Sequence, residues 1–153
     1  MITWSSSHTV KKSLSTLQQE ANIKFKFKAA HTLKIAQSLY EKKMTSYPRT
    51  DCPYMAEEQI PEIEGVLNSI SATYPDGVKE LKSQTIKIRK TLFDDSKVTD
   101  HSGIVPTTVP ASDLTPDEAK IYYLICLKYL QILGQDCEFN KTVALLDANG
   151  VPF

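Results

Sequence analysis

Tyr47 stands in the stretch Met44-Thr45-Ser46-Tyr47-Pro48-Arg49-Thr50-Asp51, one residue before a proline and two before an arginine. A phenol is a poor nucleophile at its free pKa near ~10 and needs help to react. A neighbouring guanidinium favours the phenolate and also holds a phosphate oxygen in a bidentate fork. Those are parts with which a tyrosine could attack a phosphodiester. Pro48 fixes its own φ and pushes Tyr47 out of helical geometry, so the phenol is expected on an extended segment with Arg49 close by. On residue types alone, the commoner reading is a surface tyrosine beside a solvated arginine.

The elements around this stretch read as helices. Ser15 with Gln18 three residues on fits a capping box, and Leu14, Leu17, Ala21 and Phe25 recur at helical spacing. Lys24, Lys26 and Lys28 alternate with Phe25 and Phe27. That pattern reads as a helix end with buried rings and solvated lysines, and alternatively as a charged, stacking surface for single strands. A second helix is expected over residues 29–42. Leu33, Ala36, Leu39 and Tyr40 form its apolar face, and two lysines close it where the dipole favours cations. His31, near its start, reads as exposed or capping rather than as a ligand. A third helix is expected over 56–71, with Pro61 making its start irregular or late. Glu57 and Glu58 read as helix-start charge rather than a metal pair. Tyr74-Pro75-Asp76-Gly77 reads as a turn, with a short helix following through Leu81.

Residues 84–112 show no long period, and a loop of that length is often functional or hides a short element. It contains His101 in Asp94-Asp95-Ser96-Lys97-Val98-Thr99-Asp100-His101-Ser102-Gly103-Ile104-Val105-Pro106-Thr107. Thr115-Pro116-Asp117-Glu118 is the strongest helix start in the chain: N-cap threonine, proline at the first position, glutamate in the capping-box place. Ala119, Tyr122, Tyr123, Cys126, Tyr129, Leu130 and Leu133 follow at helical spacing, and Gly134 is a natural stop. An aromatic stripe at that spacing reads as core before it reads as a base-stacking surface. Residues 139–148 read as a strand and Asn149-Gly150 as a tight turn.

The chain has 153 residues, enough for a domain with a real core. Eighteen basic and eighteen acidic residues cancel, which is unusual for a nucleic-acid protein. The charge is uneven, however. From Lys11 to Asp51 nine Lys/Arg face three acids, Glu20, Glu41 and Asp51, so this third of the chain would draw a phosphate backbone. Cys52, Cys126 and Cys137 share no metal-ligand spacing and read as reduced thiols of a cytoplasmic protein. No apolar run is long enough to span a membrane.

Three stretches in order, Ser15-Thr16-Leu17-Gln18-Gln19-Glu20-Ala21, then Thr32-Leu33-Lys34-Ile35-Ala36-Gln37-Ser38-Leu39-Tyr40-Glu41-Lys42, then Tyr47-Pro48-Arg49-Thr50-Asp51, closely resemble the type IA DNA topoisomerases, in particular the topoisomerase III branch. His101 stands where that family has the first histidine of a His-His-Ala-Ile-Ile-Pro-Thr run. Ser102 replaces the second histidine and Gly103 the alanine. Ser46 stands where the family often has threonine, and Thr45 where it often has isoleucine.

The resemblance implies that Tyr47 attacks one strand of single-stranded DNA and forms a 5′-phosphotyrosine link that reseals without ATP. It implies that Arg49 holds the scissile phosphate, that His101 bonds a phosphate near the cut, and that Thr50 belongs to the DNA-contacting motif while mainly shaping the turn. The family's Mg²⁺ site, with its catalytic glutamate and lysine, lies in a Toprim domain whose Asp-x-Asp spacing is not found here. No metal ligand is therefore assigned within this chain. The expected partners are single-stranded DNA and the missing Toprim and gate domains of the same protein, with no membrane, in a bacterial cytoplasm.

The expected fold is mainly α, an orthogonal arrangement of four or five helices. Residues 1–12 form a lead-in segment, strand or loose end. Residues 13–134 form the helical tyrosine domain, and residues 135–153 start a β segment of a neighbouring gate domain. The chain reads as an internal piece that folds but does not cleave DNA alone. Two alternatives stand beside this reading: a non-enzymatic helical module that binds single-stranded DNA or a protein, and, ranked last, a recombinase or relaxase fragment, for which His8, His31 and His101 are too scattered.

Overall fold

A segment with isoleucine, leucine, tyrosine and cysteine on nearly every side is a stable helix only when other elements surround it. The computed structural model, which describes residues 13–52, 54–83, 93–98 and 100–134, bears this out for the helix that follows Thr115. The helices are α1 (Leu14–Phe25), α2 (Ala29–Glu41), α3 (Ile63–Ser71), α4 (Pro75–Lys82) and α5 (Pro116–Leu133). α2 and α1 pack on α5 and on each other, and α4 joins α3 to α5. Ile121, Leu124, Ile125 and Ile132 are buried along with Tyr122, Cys126, Tyr129, Leu130 and Leu133, so α5 is buried over most of its circumference. A narrow stripe through Pro116, Lys120 and Tyr123 stays exposed. Tyr123 lies in it and packs edge-on against Tyr74 at 5.3 Å.

The mainly-α expectation holds: among the described residues there are five helices, two 3₁₀ turns and two isolated bridges, but no strand. The strand expected at 139–148, the Asn149-Gly150 turn and both end segments lie outside the described residues. The expected start of α5 is present in full. Glu118 N–H donates to Thr115 Oγ1 at 3.2 Å, and Thr115 N–H donates to Glu118 Oε1 at 3.0 Å.

Three starts differ from expectation. Helix signals are expected to begin at Ser13 to Thr16, and α1 does begin there, but its capping box is Ser13 with Thr16 rather than Ser15 with Gln18. Ser13 N–H donates to Thr16 Oγ1 at 3.0 Å, and Leu14 N–H donates to the Thr50 carbonyl at 3.0 Å. A tertiary bond therefore fixes this helix end, and local spacing cannot show that. The third helix splits: Glu57–Glu62, with Pro61 inside, is a 3₁₀ turn, and α-helical bonding starts at Ile63. Tyr74-Pro75-Asp76-Gly77 is the first turn of α4, with Pro75 at the opening position where its missing N–H costs nothing. Of the expected α2 face, Ala36 and Leu39 are buried with Thr32 and Ile35, but Tyr40 is exposed.

α2 ends well before Pro48 acts. Met44 N–H donates to the Leu39 carbonyl at 3.0 Å and Lys43 N–H to the Tyr40 carbonyl at 2.8 Å, with Lys43 left-handed at φ 66°. That is a Schellman close, usually made by glycine. Buried Met44 then seats the chain in the core three residues before Tyr47.

Candidate active site

Beyond Met44 the tyrosine segment is extended and lies antiparallel to the segment that follows His101. Thr45 and Pro106 form a bridge. Ser46 N–H donates to the Val105 carbonyl at 2.9 Å, and Thr107 N–H to the Met44 carbonyl at 3.0 Å. Ser46 Oγ donates to the Gly103 carbonyl at 3.1 Å and accepts Val105 N–H at 2.9 Å. Thr107 Oγ1 donates to the Lys43 carbonyl at 2.6 Å. Among the described residues of 84–112, the short elements are a 3₁₀ turn at Asp95–Lys97 and this pairing segment. The pairing segment gives no sequence signal because its partner lies nearly sixty residues away.

The pairing brings Tyr47 and His101 together. Their ring centroids are 4.4 Å apart at 41°, and Tyr40 also meets Tyr47, edge-on at 5.3 Å and 77°. The phenol is half-buried in a cleft of about 270 Å³ lined by Ser46, Gln59, Asp100, His101 and Ser102 among others. Among the described residues nothing hydrogen-bonds the Tyr47 hydroxyl. The other tyrosines of the interior are poorer nucleophiles. Burial pushes the phenols of Tyr74, Tyr122 and Tyr129 well above their ordinary pKa, so they stay neutral.

Thr50 is buried, and its hydroxyl points inward. Thr50 Oγ1 donates to the His101 carbonyl at 3.2 Å and accepts Cys52 N–H at 3.1 Å. It shapes the turn and ties the two segments, and its hydroxyl is not on the surface. Arg49 is not among the residues that line the Tyr47 cleft. Thr50 N–H donates to the Pro48 carbonyl at 2.9 Å, a tight turn centred on Arg49. The guanidinium is exposed and lines a separate groove along α2 with Leu33, Lys34, Gln37 and Glu41. A purely extended chain would have kept positions 47 and 49 on one side.

Behind the site, α2 is pinned to α5 by a carboxylate that sequence reasoning had placed only in a capping box. Glu118 is buried and accepts Ser38 Oγ at 2.5 Å and Lys42 Nζ at 2.8 Å. Lys42 also donates to the Asp113 carbonyl at 3.1 Å. Burial by itself would raise the Glu118 pKa, but the bonds from Lys42, Ser38 and Thr115 outweigh it and bring it down to about 2. A depressed carboxylate stabilises the fold above its unfolded pKa and stops doing so as pH falls through its folded value. Glu118→Gln should therefore cost about 2 kcal/mol at neutral pH. It should also flatten the stability profile between pH 4.5 and about 2 in acid-denaturation scans. A variant with the parent's full acid sensitivity would show that the network is not what holds α2.

Among the described residues no three of His, Cys, Asp and Glu gather closely enough to hold a metal ion. Cys52 and Cys126 are free and buried, and burial raises the Cys126 thiol. No helix among the described residues is long and apolar enough to cross a membrane.

A family model described as DNA topoisomerase matches residues 6–153. The chain is similar to the DNA topoisomerase 3 of Salmonella typhimurium, 41% identical over 140 residues, covering 88% of this chain and 21% of that protein. It is also similar to the DNA topoisomerase 3 of Bacillus subtilis, 34% identical over 144 residues, covering 92% and 20%. That of Staphylococcus aureus is 33% identical over the same length, with the same coverage. The chain thus spans about a fifth of the length of the curated relatives it matches.

Proposed function

The chain belongs to the DNA topoisomerase family, and from that premise we propose that it carries the nucleophilic half of a type IA strand-breaking centre. The observation that supports this most is the Tyr47 phenol, held half-buried against His101 by two paired backbone segments. Tyr47 Oη attacks a backbone phosphorus of single-stranded DNA. The new O–P bond replaces the P–O3′ bond, leaving a 5′-phosphotyrosine and a 3′-hydroxyl that takes up a proton as the phenol gives one up. The bond energy stays in the covalent link, so rejoining needs no ATP. Passage of DNA through the break relaxes or decatenates it.

His101, in contact with the phenol ring, donates to a phosphate at the cut. Arg49 reaches the same strand from the far side of Pro48 and binds a phosphate by charge. Thr50 acts as a positioning residue through the turn. Mg²⁺ and the acid–base groups come from parts of the protein outside these residues.

The test is a labelled oligonucleotide with Mg²⁺, run on a denaturing gel. The whole protein that holds this segment should give a covalent band. The 153-residue chain alone should give none, because the phenol lacks its metal-bearing partner. A band from the chain alone that disappears in Tyr47→Phe would mean that the chemistry is complete here. No band from the whole protein would remove the reading altogether.

A further inference from the structure

α1 ends on a corner crowded with lysines. Lys24, Lys26 and Lys28 are all exposed, and Lys26 takes a left-handed φ of 62° that turns the chain out of the helix. Phe25 and Phe27 between them are half-buried against the core, 5.5 Å apart. From α5, Lys120 sets its ammonium 5.6 Å and 5.7 Å from those two rings. Lys128, also on α5, is close enough to Lys24 for mutual repulsion. Burial lowers its pKa first, with Lys24 adding to that and Glu20 opposing it. The acids at this corner are Glu20 and Asp117, and Asp117 is already held by His31 at 2.9 Å.

Three exposed lysines at the end of α1 and in the link to α2 therefore stand next to, or between, phenylalanines that Lys120 of α5 covers, with Lys128 near Lys24, in a chain whose formal charge is zero. Like charges at such density repel unless an anion screens them. The core uses the two phenylalanine rings, but it has no need of Lys24, Lys26 or Lys28. Because His31 meets Phe27 edge-on at 4.8 Å and Lys120 covers both rings, base stacking on them is already pre-empted.

We propose that this corner is a second nucleic-acid contact, separate from the Tyr47 cleft, which grips the sugar–phosphate backbone of a single strand by charge and reads no bases. The choice of ligand rests on the function proposed above; the charge cluster does not. Binding of a fluorescent oligonucleotide of mixed sequence to the 153-residue chain, followed by anisotropy against KCl, tests it. Lys24→Gln/Lys26→Gln/Lys28→Gln should lower the log–log salt slope by about 2, at ~0.7 per phosphate contact. Raising KCl from about 50 to about 200 mM should then weaken the parent about 16-fold more than the variant. Lys79→Gln, at an exposed position of α4, should keep the parent's slope, and the melting temperature of the triple variant should not move. An unchanged slope overturns the proposal, as does displacement of the oligonucleotide by poly-glutamate at equal charge concentration. No strand is cut in this assay, so its failure leaves the Tyr47 chemistry standing, and failure of that chemistry leaves this contact standing.

Discussion

Tyr47→Phe in the whole protein is expected to lower the rate of covalent attachment to DNA by about 10⁴–10⁶, to below detection in a denaturing gel. The substitution removes one oxygen and keeps the ring. The ring makes the contacts with Tyr40 and His101, and among the described residues the hydroxyl makes none. Stability should therefore shift by less than about 1 kcal/mol, and oligonucleotide affinity should stay within about threefold. That combination separates a nucleophile from a structural tyrosine. A structural tyrosine would lose stability or affinity and leave the chemical step intact. A variant that still forms the link at more than a hundredth of the parent rate would mean that another group attacks.

The second large effect is expected at Ser46. Its hydroxyl is both donor to Gly103 and acceptor for Val105, so it clips the tyrosine segment to the histidine segment. Ser46→Ala leaves Val105 N–H without its side-chain partner and the Gly103 carbonyl with only the Ser102 hydroxyl at 3.4 Å, and should cost about 2 kcal/mol of stability. It should also slow strand cleavage by about 10- to 100-fold, because the phenol and His101 are no longer held in one geometry. Ser46→Thr keeps the hydroxyl and should stay within about 1 kcal/mol and threefold of the parent. Thermal melts and single-turnover cleavage read both effects. Equal losses in the alanine and threonine variants would mean that side-chain size matters there, and not the hydroxyl.

Local signals carried much of the fold. The Thr115-Pro116-Asp117-Glu118 start, the apolar recurrence in α1 and the irregularity at Pro61 all act within one turn of the chain, and all three are present. Tertiary contacts set what the spacing could not reveal. The start of α1 depends on the Thr50 carbonyl, and α5 is buried over most of its circumference because α1, α2 and α4 all pack on it. The close of α2 needs a left-handed residue, and a lysine fills a place where glycine would have announced it.

At the site, the motif pointed to Tyr47 and to His101, and the structure sets their rings in contact. The groove that Arg49 lines was not legible. The period of an extended strand puts positions 47 and 49 on one side, whereas a tight turn at Arg49 interrupts that period and Arg49 lines a groove along α2. The tertiary bonds of Ser46 and Glu118 were not legible because their partners lie far away in sequence: Val105 and Gly103 for one, Ser38 and Lys42 for the other.

The most direct measurement is to trap the covalent complex of the whole protein with an oligonucleotide, digest both components and locate the remaining nucleotide by mass spectrometry. Trypsin cuts after Lys43 and after Arg49, so residues 44–49 leave as a six-residue peptide with Tyr47 as its one tyrosine. The account predicts a nucleotide 5′-phosphate on that peptide, with fragment ions placing it on Tyr47. Attachment to Thr45, to Ser46 or to any other peptide would contradict it.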